Sequence, residues 1–175
     1  GEAMSIVESL NPELIVVAAY GKVLPEELLN YPKYGSINVH SSILPKYRGA
    51  APINWAILNG EEETGVTIMY MAKELDAGDI IDVSKTPIGE DETAGELLDR
   101  LAVLGASLLS KTLTRFAAGK VDATAQDAAL ATYAPMLDKT MCPIDWHKTA
   151  QQVHDHVRGM NPWPVATMEL RGNRF

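Results

Sequence analysis

Short apolar and alternating stretches divide the first part of the chain into candidate strands. Residues 14–19 form a continuous apolar run, which predicts a strand covered on both faces, as in a parallel sheet. Residues 35–40 form a second candidate strand, and proline with acidic residues at positions 25–29 predicts a short helix between the two. This order of strand, helix and strand favours an α/β layer.

The central part of the chain continues this pattern. It predicts a helix at residues 52–58 and strands at residues 65–71 and 80–88, with a polar turn at residues 76–79. Leucines at helical spacing over residues 93–118 predict a long helix that packs one face inward. Thr93 and Glu96 give the start signal of this helix, and Gly119 its end.

Beyond the long helix the pattern changes, which suggests a domain boundary. We predict a first domain at residues 1–120, a weakly patterned connector at residues 121–142 and the start of a second domain at residues 143–175. A helix is expected near residues 145–158, and the prolines at residues 161–164 then restart the chain as a strand. Both ends are predicted to be cut, with a preceding strand and helix and the rest of the second domain outside this polypeptide.

Composition and charge exclude several classes of protein. The formal charge of −8 argues against a surface that holds nucleic acid by itself. No apolar run of membrane length and no signal peptide is present, which makes the cytoplasm the expected location. Cys142 is the only cysteine, so no internal disulfide is possible and we interpret it as structural. His154 and His156 point to different sides of a helix at their spacing, so we predict no metal site.

Candidate chemistry lies at the end of the second strand. Alternation along this strand places Asn38 and His40 on one face near its carboxyl end, where open α/β sheets bind ligands. An amide and an imidazole can donate hydrogen bonds to an oxygen that becomes negative when an amine attacks a carbonyl. This pair predicts acyl transfer, although an Asn or a His at a strand end is often only structural.

The polar turn at residues 76–79 offers a carboxylate for this pair. Asp76 or Asp79 can approach His40 across the sheet end, and an opposite charge there favours the protonated ring. Either aspartate can also serve only the turn. The set has no nucleophile, so it predicts direct transfer without an acyl-enzyme intermediate.

These residues together resemble the signature of the 10-formyltetrahydrofolate-dependent formyltransferase family. The resemblance rests on Asn38-x-His40, on Ser42-Ile43-Leu44-Pro45-x-Tyr47-x-Gly49 and on Leu75-Asp76-x-Gly78. It implies that Asn38, His40 and Asp76 are catalytic. It also implies an open, mostly parallel Rossmann-like α/β sheet of the formyltransferase type in residues 1–120, followed by the beginning of an OB-like β-barrel domain.

The resemblance further implies that 10-formyltetrahydrofolate is the co-substrate and that ten residues surround it. Simple core packing remains an alternative for Tyr20 and Leu24. The implied folate-binding residues are Tyr20, Gly21, Lys22, Val23, Leu24, Ser41, Ser42, Leu44, Pro45 and Asp79.

The tail bears on which amine accepts the formyl group. Asp145-Trp146, Arg158-Gly159 and residues 161–164 resemble the entry to the second domain of the family members that act on methionyl-tRNA. Members that act on sugars or oxidise the folate share the first two elements, so the choice rests on Asn-Pro-Trp-Pro at residues 161–164. This implies initiator methionyl-tRNA as partner of a cytoplasmic monomer, with Lys46 and Arg48 holding the tRNA unless they are merely solvated. The open alternatives are formylation of an amino-sugar nucleotide, hydrolysis or oxidation of the folate, and folate binding without turnover.

Overall fold

The computed structural model describes residues 2–21 and 24–175, and its first half alternates strands and helices. Four predicted elements are confirmed to within two residues. They are the strand near residue 15, the helix near residue 26, the strand ending at His40 and the helix at residues 52–58. The elements to residue 58 are α1 (Glu2–Leu10), β1 (Ile15–Ala18), α2 (Glu26–Leu29), β2 (Ser36–His40), β3 (Arg48–Gly49) and α3 (Pro52–Leu58).

The second half contains the long helix and small terminal strands. Thr93 caps the long helix through a reciprocal bond with Glu96, which confirms the predicted start. The remaining elements are β4 (Glu63–Tyr70), β5 (Ile80–Pro87), α4 (Ala94–Ala117), β6 (Tyr133–Ala134), α5 (Ala150–Gly159), β7 (Glu169–Leu170) and β8 (Asn173–Arg174).

The described sheet has the order β1-β2-β4-β5 and is mixed. The α/β class is confirmed, but the prediction of a mostly parallel sheet is wrong for these strands, because only β1 and β2 pair in parallel. Residues 71–79 alone connect β4 to β5, which is too short for the crossover that a parallel pair requires. β1 is the edge strand of this described sheet, and Val16 is 40% exposed within these residues, so coverage of both faces of β1 stays a prediction.

Helix α4 covers one face of the sheet. Its contact with β2 therefore shows which side chains of that strand face the helix and which face away from it. Leu97 and Leu101 of α4 are buried in the core, as the leucine pattern predicts. Val39 lies against Gly105 of this helix. Since side chains alternate along a strand, Asn38 and His40 of β2 project to the opposite face.

Gly105 allows this close approach, which leads to a stability prediction. A Cβ added at Gly105 would lie 3.2 Å from Cγ1 of Val39 and 3.5 Å from Cγ1 of Val66. We expect Gly105→Val to lower the free energy of unfolding by about 1–3 kcal/mol through overpacking. Urea unfolding measures this, with Ala106→Val on the exposed side of α4 as control, where only a helix-propensity cost of about 0.5 kcal/mol is expected. Equal losses at both positions would contradict the packing argument.

Residues 121–142, the predicted connector, are well anchored to the elements that precede them. Thr124 and Ile80 exchange two backbone hydrogen bonds of 2.8 Å. β6 pairs in parallel with β3, and Cys142 is buried, in agreement with a structural role. The connector therefore packs on the loops that follow β2 and β4, although its sequence pattern is weak.

Two predicted boundaries near the carboxyl end are wrong. Helix α5 begins at Ala150, five residues after the predicted start, because Thr149 and Gln152 form a capping box there. The strand expected directly after residue 164 begins only at Glu169, because residues 161–164 form a turn. The boundaries of the second domain stay a prediction. No helix within the described ranges is long and apolar enough to cross a membrane.

Candidate active site

The candidate active site lies where β2 ends. Asn38 is half-buried and His40 is 6% exposed, and both lie on the face away from α4. In the neighbouring strand β4, Met69 is the register partner of Asn38 and Thr67 that of His40. The Cα atoms of Asn38 and His40 are thus held about 7 Å apart along a central strand.

The two ring nitrogens of His40 have different surroundings. Nε2 donates a hydrogen bond of 2.9 Å to the carbonyl oxygen of Tyr47. Since a carbonyl can only accept, the neutral ring carries its proton on Nε2. Nδ1 lies 3.7 Å from Oδ2 of Asp76, within ion-pair range but too far for a hydrogen bond. Nδ1 is therefore the nitrogen that can exchange a proton with a bound group.

Asp76 is held beside the ring by the loop that follows β2. Its Oδ2 accepts a hydrogen bond of 2.8 Å from the backbone N–H of Gly49. The backbone of Asp76 is left-handed, with φ of 49°, a conformation that aspartate tolerates better than most residues. A Cβ at Gly78 would lie 1.8 Å from the carbonyl oxygen of Tyr70, so only glycine lets this turn pack against the end of β4. The Asp-x-Gly part of the motif follows from this geometry.

The structure separates the two aspartates of the turn. Asp76 lies at His40, whereas the side chain of Asp79 is exposed and its carbonyl oxygen accepts from the backbone N–H of Tyr70. The approach of Asp76 to His40 is therefore confirmed as geometry. A folate contact by Asp79 stays a prediction.

The loop after β2 is shaped by buried hydrogen bonds. The hydroxyl of Thr67 donates to the carbonyl oxygen of Ser42 at 2.7 Å and accepts from the backbone N–H of Leu44 at 3.1 Å. The Ser42 hydroxyl donates to the carbonyl oxygen of Lys46 at 2.7 Å. Ser42 and Leu44 are only 1% and 4% exposed, so we correct their predicted folate contact to a supporting role within the loop.

Arg48 also requires a correction. It is 3% exposed, and its Nε and Nη2 both donate to Oε1 of Gln126, at 3.1 and 2.8 Å. A guanidinium buried and bound in this way offers no surface to a phosphate, so the predicted tRNA contact of Arg48 is wrong in this structure. Lys46 is exposed beside Glu61, with 3.3 Å between Nζ and Oε1, and its tRNA contact stays a prediction.

Tyr47 contributes to the site although the sequence suggested no role for it beyond the motif. Its hydroxyl donates to Glu61 at 2.7 Å and accepts from Asn59 at 3.1 Å. Burial raises the pKa of Tyr47 to about 12, so the phenol stays neutral and keeps this bond at neutral pH. The anchored ring fixes the backbone whose carbonyl oxygen accepts from His40.

The remaining predicted folate residues lie at the surface of the same loops or outside the described ranges. Ser41 and Pro45 are half-buried after β2. Tyr20 is 55% exposed after β1, followed by exposed Gly21 and half-buried Leu24. Lys22 and Val23 lie outside the described residues. None of these contacts is tested by the structure, so all of them stay predictions.

Two other histidines make contacts away from His40. His154 Nε2 lies 3.0 Å from Oδ1 of Asp91, and His156 Nε2 donates to the carbonyl oxygen of Cys142 at 3.3 Å. Within residues 2–21 and 24–175, no group of three or more His, Cys, Asp or Glu side chains could hold a metal ion.

Two family models match this chain. One described as formyl transferase matches residues 1–113, and one described as formyl transferase, C-terminal domain, matches residues 136–175. The first match covers more than half of the chain and contains the whole Asn38, His40 and Asp76 set.

Relatives extend over nearly the whole chain. The methionyl-tRNA formyltransferase of Acetivibrio thermocellus is 52% identical over 174 residues, which are 99% of this chain and 56% of that protein. The methionyl-tRNA formyltransferase of Bacillus subtilis is 48% identical over 174 residues, which are 99% of this chain and 55% of that protein. The chain thus spans about half the length of the curated relatives it matches.

Solved structures share the fold. A 4-N formyltransferase from Francisella tularensis has a TM-score of 0.80 at 25% identity, covering 93% of this chain and 68% of that one. HypX from Aquifex aeolicus, in complex with tetrahydrofolic acid, has a TM-score of 0.83 at 22% identity, covering 97% of this chain and 29% of that one. Since the formyl transferase model matches residues 1–113, the chain belongs to the formyl transferase family.

Proposed function

We propose that the complete gene product transfers a formyl group from 10-formyltetrahydrofolate to the amino group of methionyl-initiator tRNA. The observation that carries this proposal is the placement of Asn38, His40 and Asp76 at the end of β2, which suits attack on a carbonyl. The choice of acceptor is supported by relatives named methionyl-tRNA formyltransferase at 52% and 48% identity over nearly the whole chain.

The three side chains have complementary roles in this transfer. The amine attacks the formyl carbon, a new C–N bond forms, and the carbonyl electron pair moves onto oxygen. The Asn38 amide and the protonated Nδ1 of His40 donate hydrogen bonds to this oxyanion. Asp76, 3.7 Å from Nδ1, stabilises the positive ring. The intermediate collapses when the bond to N10 of the folate breaks, and N10 receives the proton that the amine gives up.

Direct transfer is favoured over an acyl-enzyme route. The hydroxyl of Ser42 donates to the carbonyl oxygen of Lys46, and that of Thr67 to the carbonyl oxygen of Ser42. Both hydroxyls are therefore committed to the loop and are not poised as nucleophiles with His40 as base.

The folate is proposed to lie against the loops that follow β1 and β2. Their exposed or half-buried members include Tyr20, Leu24, Ser41 and Pro45, and aromatic and aliphatic side chains together suit a flat heterocycle. Gly21, Lys22, Val23 and Asp79 complete the proposed pocket. Lys46 is proposed to contact tRNA phosphate.

A competition between acceptors tests the proposed function. The complete gene product is incubated with 10-formyltetrahydrofolate and either methionyl-initiator tRNA, an amino-sugar nucleotide or no amine. We expect transfer to methionyl-tRNA to exceed transfer to the sugar and release of formate by about a hundredfold in kcat/KM, because the wrong acceptor lacks the contacts that align its amine.

Two outcomes of this competition would contradict the proposal. Preferred formylation of the sugar amine would favour an amino-sugar nucleotide, and not methionyl-tRNA, as the acceptor. Formate release at an unchanged rate without any amine would indicate hydrolysis of the folate.

A further inference from the structure

Gln126 in the connector uses its whole side-chain amide to join the two loops of the candidate site. Its Nε2 donates to the carbonyl oxygens of Asp76 and Gly78, both at 2.8 Å. Its Oε1 accepts from Nε and Nη2 of Arg48 at 3.1 and 2.8 Å. One side chain thus ties the turn that carries Asp76 to the residue next to Gly49, whose N–H binds the Asp76 carboxylate.

Only a primary amide satisfies both sides of this contact. Two carbonyl oxygens need donors, and a buried guanidinium needs an acceptor. A carboxylate at position 126 would still accept from Arg48, but it would face the carbonyl oxygens of Asp76 and Gly78 without a proton to share. The chemistry of glutamine, and not merely its size, is therefore what this position uses.

The backbone of Asp76 needs such support. Its φ of 49° is unfavourable for a residue with a side chain, so the surrounding contacts have to hold the turn in place. The carbonyl of Asp76 is fixed by Gln126 and its carboxylate by the backbone N–H of Gly49. Loss of the first contact removes the hydrogen bond that fixes the Asp76 carbonyl and weakens the hold on the carboxylate beside Nδ1 of His40.

We propose that Gln126 is a positioning residue, which sets the distance between Asp76 and His40 and thereby links the connector to catalysis. This inference rests on the proposed function, since it acts through Asp76. The connector has its own anchors on either side of Gln126. Thr124 pairs with Ile80, and the hydroxyl of Thr132 accepts from the backbone N–H of Tyr47 at 2.9 Å. Replacement of Gln126 therefore loosens the turn and leaves the connector in place.

Turnover of Gln126→Ala and Gln126→Glu in the complete gene product tests this inference. We expect kcat to fall about tenfold in each variant, because small displacements of a catalytic group are costly, while KM for the folate changes less than about twofold. The matched control is Asn54→Ala, which removes another amide-to-carbonyl bond, from Asn54 Nδ2 to Gly159 at 2.8 Å between α3 and α5. It is expected to lower the melting temperature without lowering kcat. An unchanged kcat in both Gln126 variants would overturn the proposal.

A double-mutant cycle separates positioning from a general loss of stability. If Gln126 acts through Asp76, then Gln126→Ala costs less than about twofold in kcat when Asp76→Asn is already present. Losses that simply multiply in the double variant would overturn the proposal. The transfer assay of the unaltered protein tests the proposed function. The kcat values of the variants, each divided by that of its parent, test this inference.

A crystal structure of Gln126→Ala gives a test that does not depend on turnover. The inference predicts that the Asp76 carboxylate moves away from Nδ1 of His40, beyond its present 3.7 Å. An Asp76 carboxylate that stays in place without Gln126 would rule out the positioning role, even if the unaltered protein proves inactive toward every amine.

Discussion

Replacement of His40 by alanine in the complete gene product is expected to lower kcat by about a hundredfold, because the site loses the positive ring that donates to the oxyanion. The ring is 6% exposed at the end of β2, and its Nδ1 is the nitrogen that faces Asp76. KM for 10-formyltetrahydrofolate should change much less than kcat, since the contact is made mainly in the transition state. Initial rates of formyl transfer measure both constants.

His40→Gln distinguishes chemistry from structure. The glutamine amide reaches about as far as Nε2 and can keep the bond to the Tyr47 carbonyl oxygen, but it has no group in place of Nδ1. We therefore expect this variant to keep the melting temperature and still lose turnover. His154→Ala, at a histidine that contacts Asp91, serves as control and should leave turnover unchanged. Near-normal kcat in both His40 variants would remove His40 from the mechanism.

Asp76→Asn is expected to lower kcat by about ten- to a hundredfold. Asparagine tolerates the left-handed backbone, with its φ of 49°, and keeps an oxygen for the Gly49 N–H. The substitution thus removes the negative charge and leaves the turn intact. Without the carboxylate 3.7 Å from Nδ1, the positive ring that donates to the oxyanion is no longer stabilised. Pre-steady-state rates of formyl transfer, measured with saturating folate, report this loss.

Glu74→Gln provides the matched control for Asp76→Asn. Glu74 carries an exposed carboxylate on the same turn. Its Oε1 lies 3.7 Å from Nη1 of Arg48, so its partner is Arg48 and not His40. We expect its removal to change kcat less than about twofold, since exposed ion pairs contribute little. If both substitutions reduce kcat equally, the effect belongs to the turn as a whole and not to a charge beside His40.

The elements that the sequence predicts well are those whose signals are local. Alternation identifies β2 and β4, and the leucine pattern with the Thr93 and Glu96 cap identifies α4 to within a residue. These signals depend on side-chain periodicity and on hydrogen bonds within one turn, both of which a single stretch of sequence contains.

The errors arise where neighbours in space decide the outcome. Strand direction depends on how β4 and β5 are connected, and apolar content alone does not indicate this connection. The sequence pattern predicts that α5 begins near Asp145, but the capping box of Thr149 lies further along the chain. Asp145 instead accepts from the backbone N–H of His147 in the turn before the helix.

In the candidate site, too, residues with local signals are predicted well and residues with distant partners are not. Asn38 and His40 were predicted because they share one strand, and Asp76 because its turn completes a family signature. Arg48 was misjudged because charge suggests exposure, whereas its guanidinium is bound by a residue 78 positions away. Gln126 itself was missed, since it lies in a weakly patterned connector and all of its partners are distant in sequence.

A crystal structure of the complete gene product with a 10-formyltetrahydrofolate analogue tests the central claim most directly. The claim is that Asn38 and His40 direct their donors at one carbonyl oxygen while Asp76 stabilises the ring. It predicts a formyl oxygen within about 3.2 Å of both the Asn38 amide nitrogen and Nδ1 of His40, with Asp76 still beside the ring. A formyl group bound away from the end of β2, or directed toward neither side chain, would contradict it.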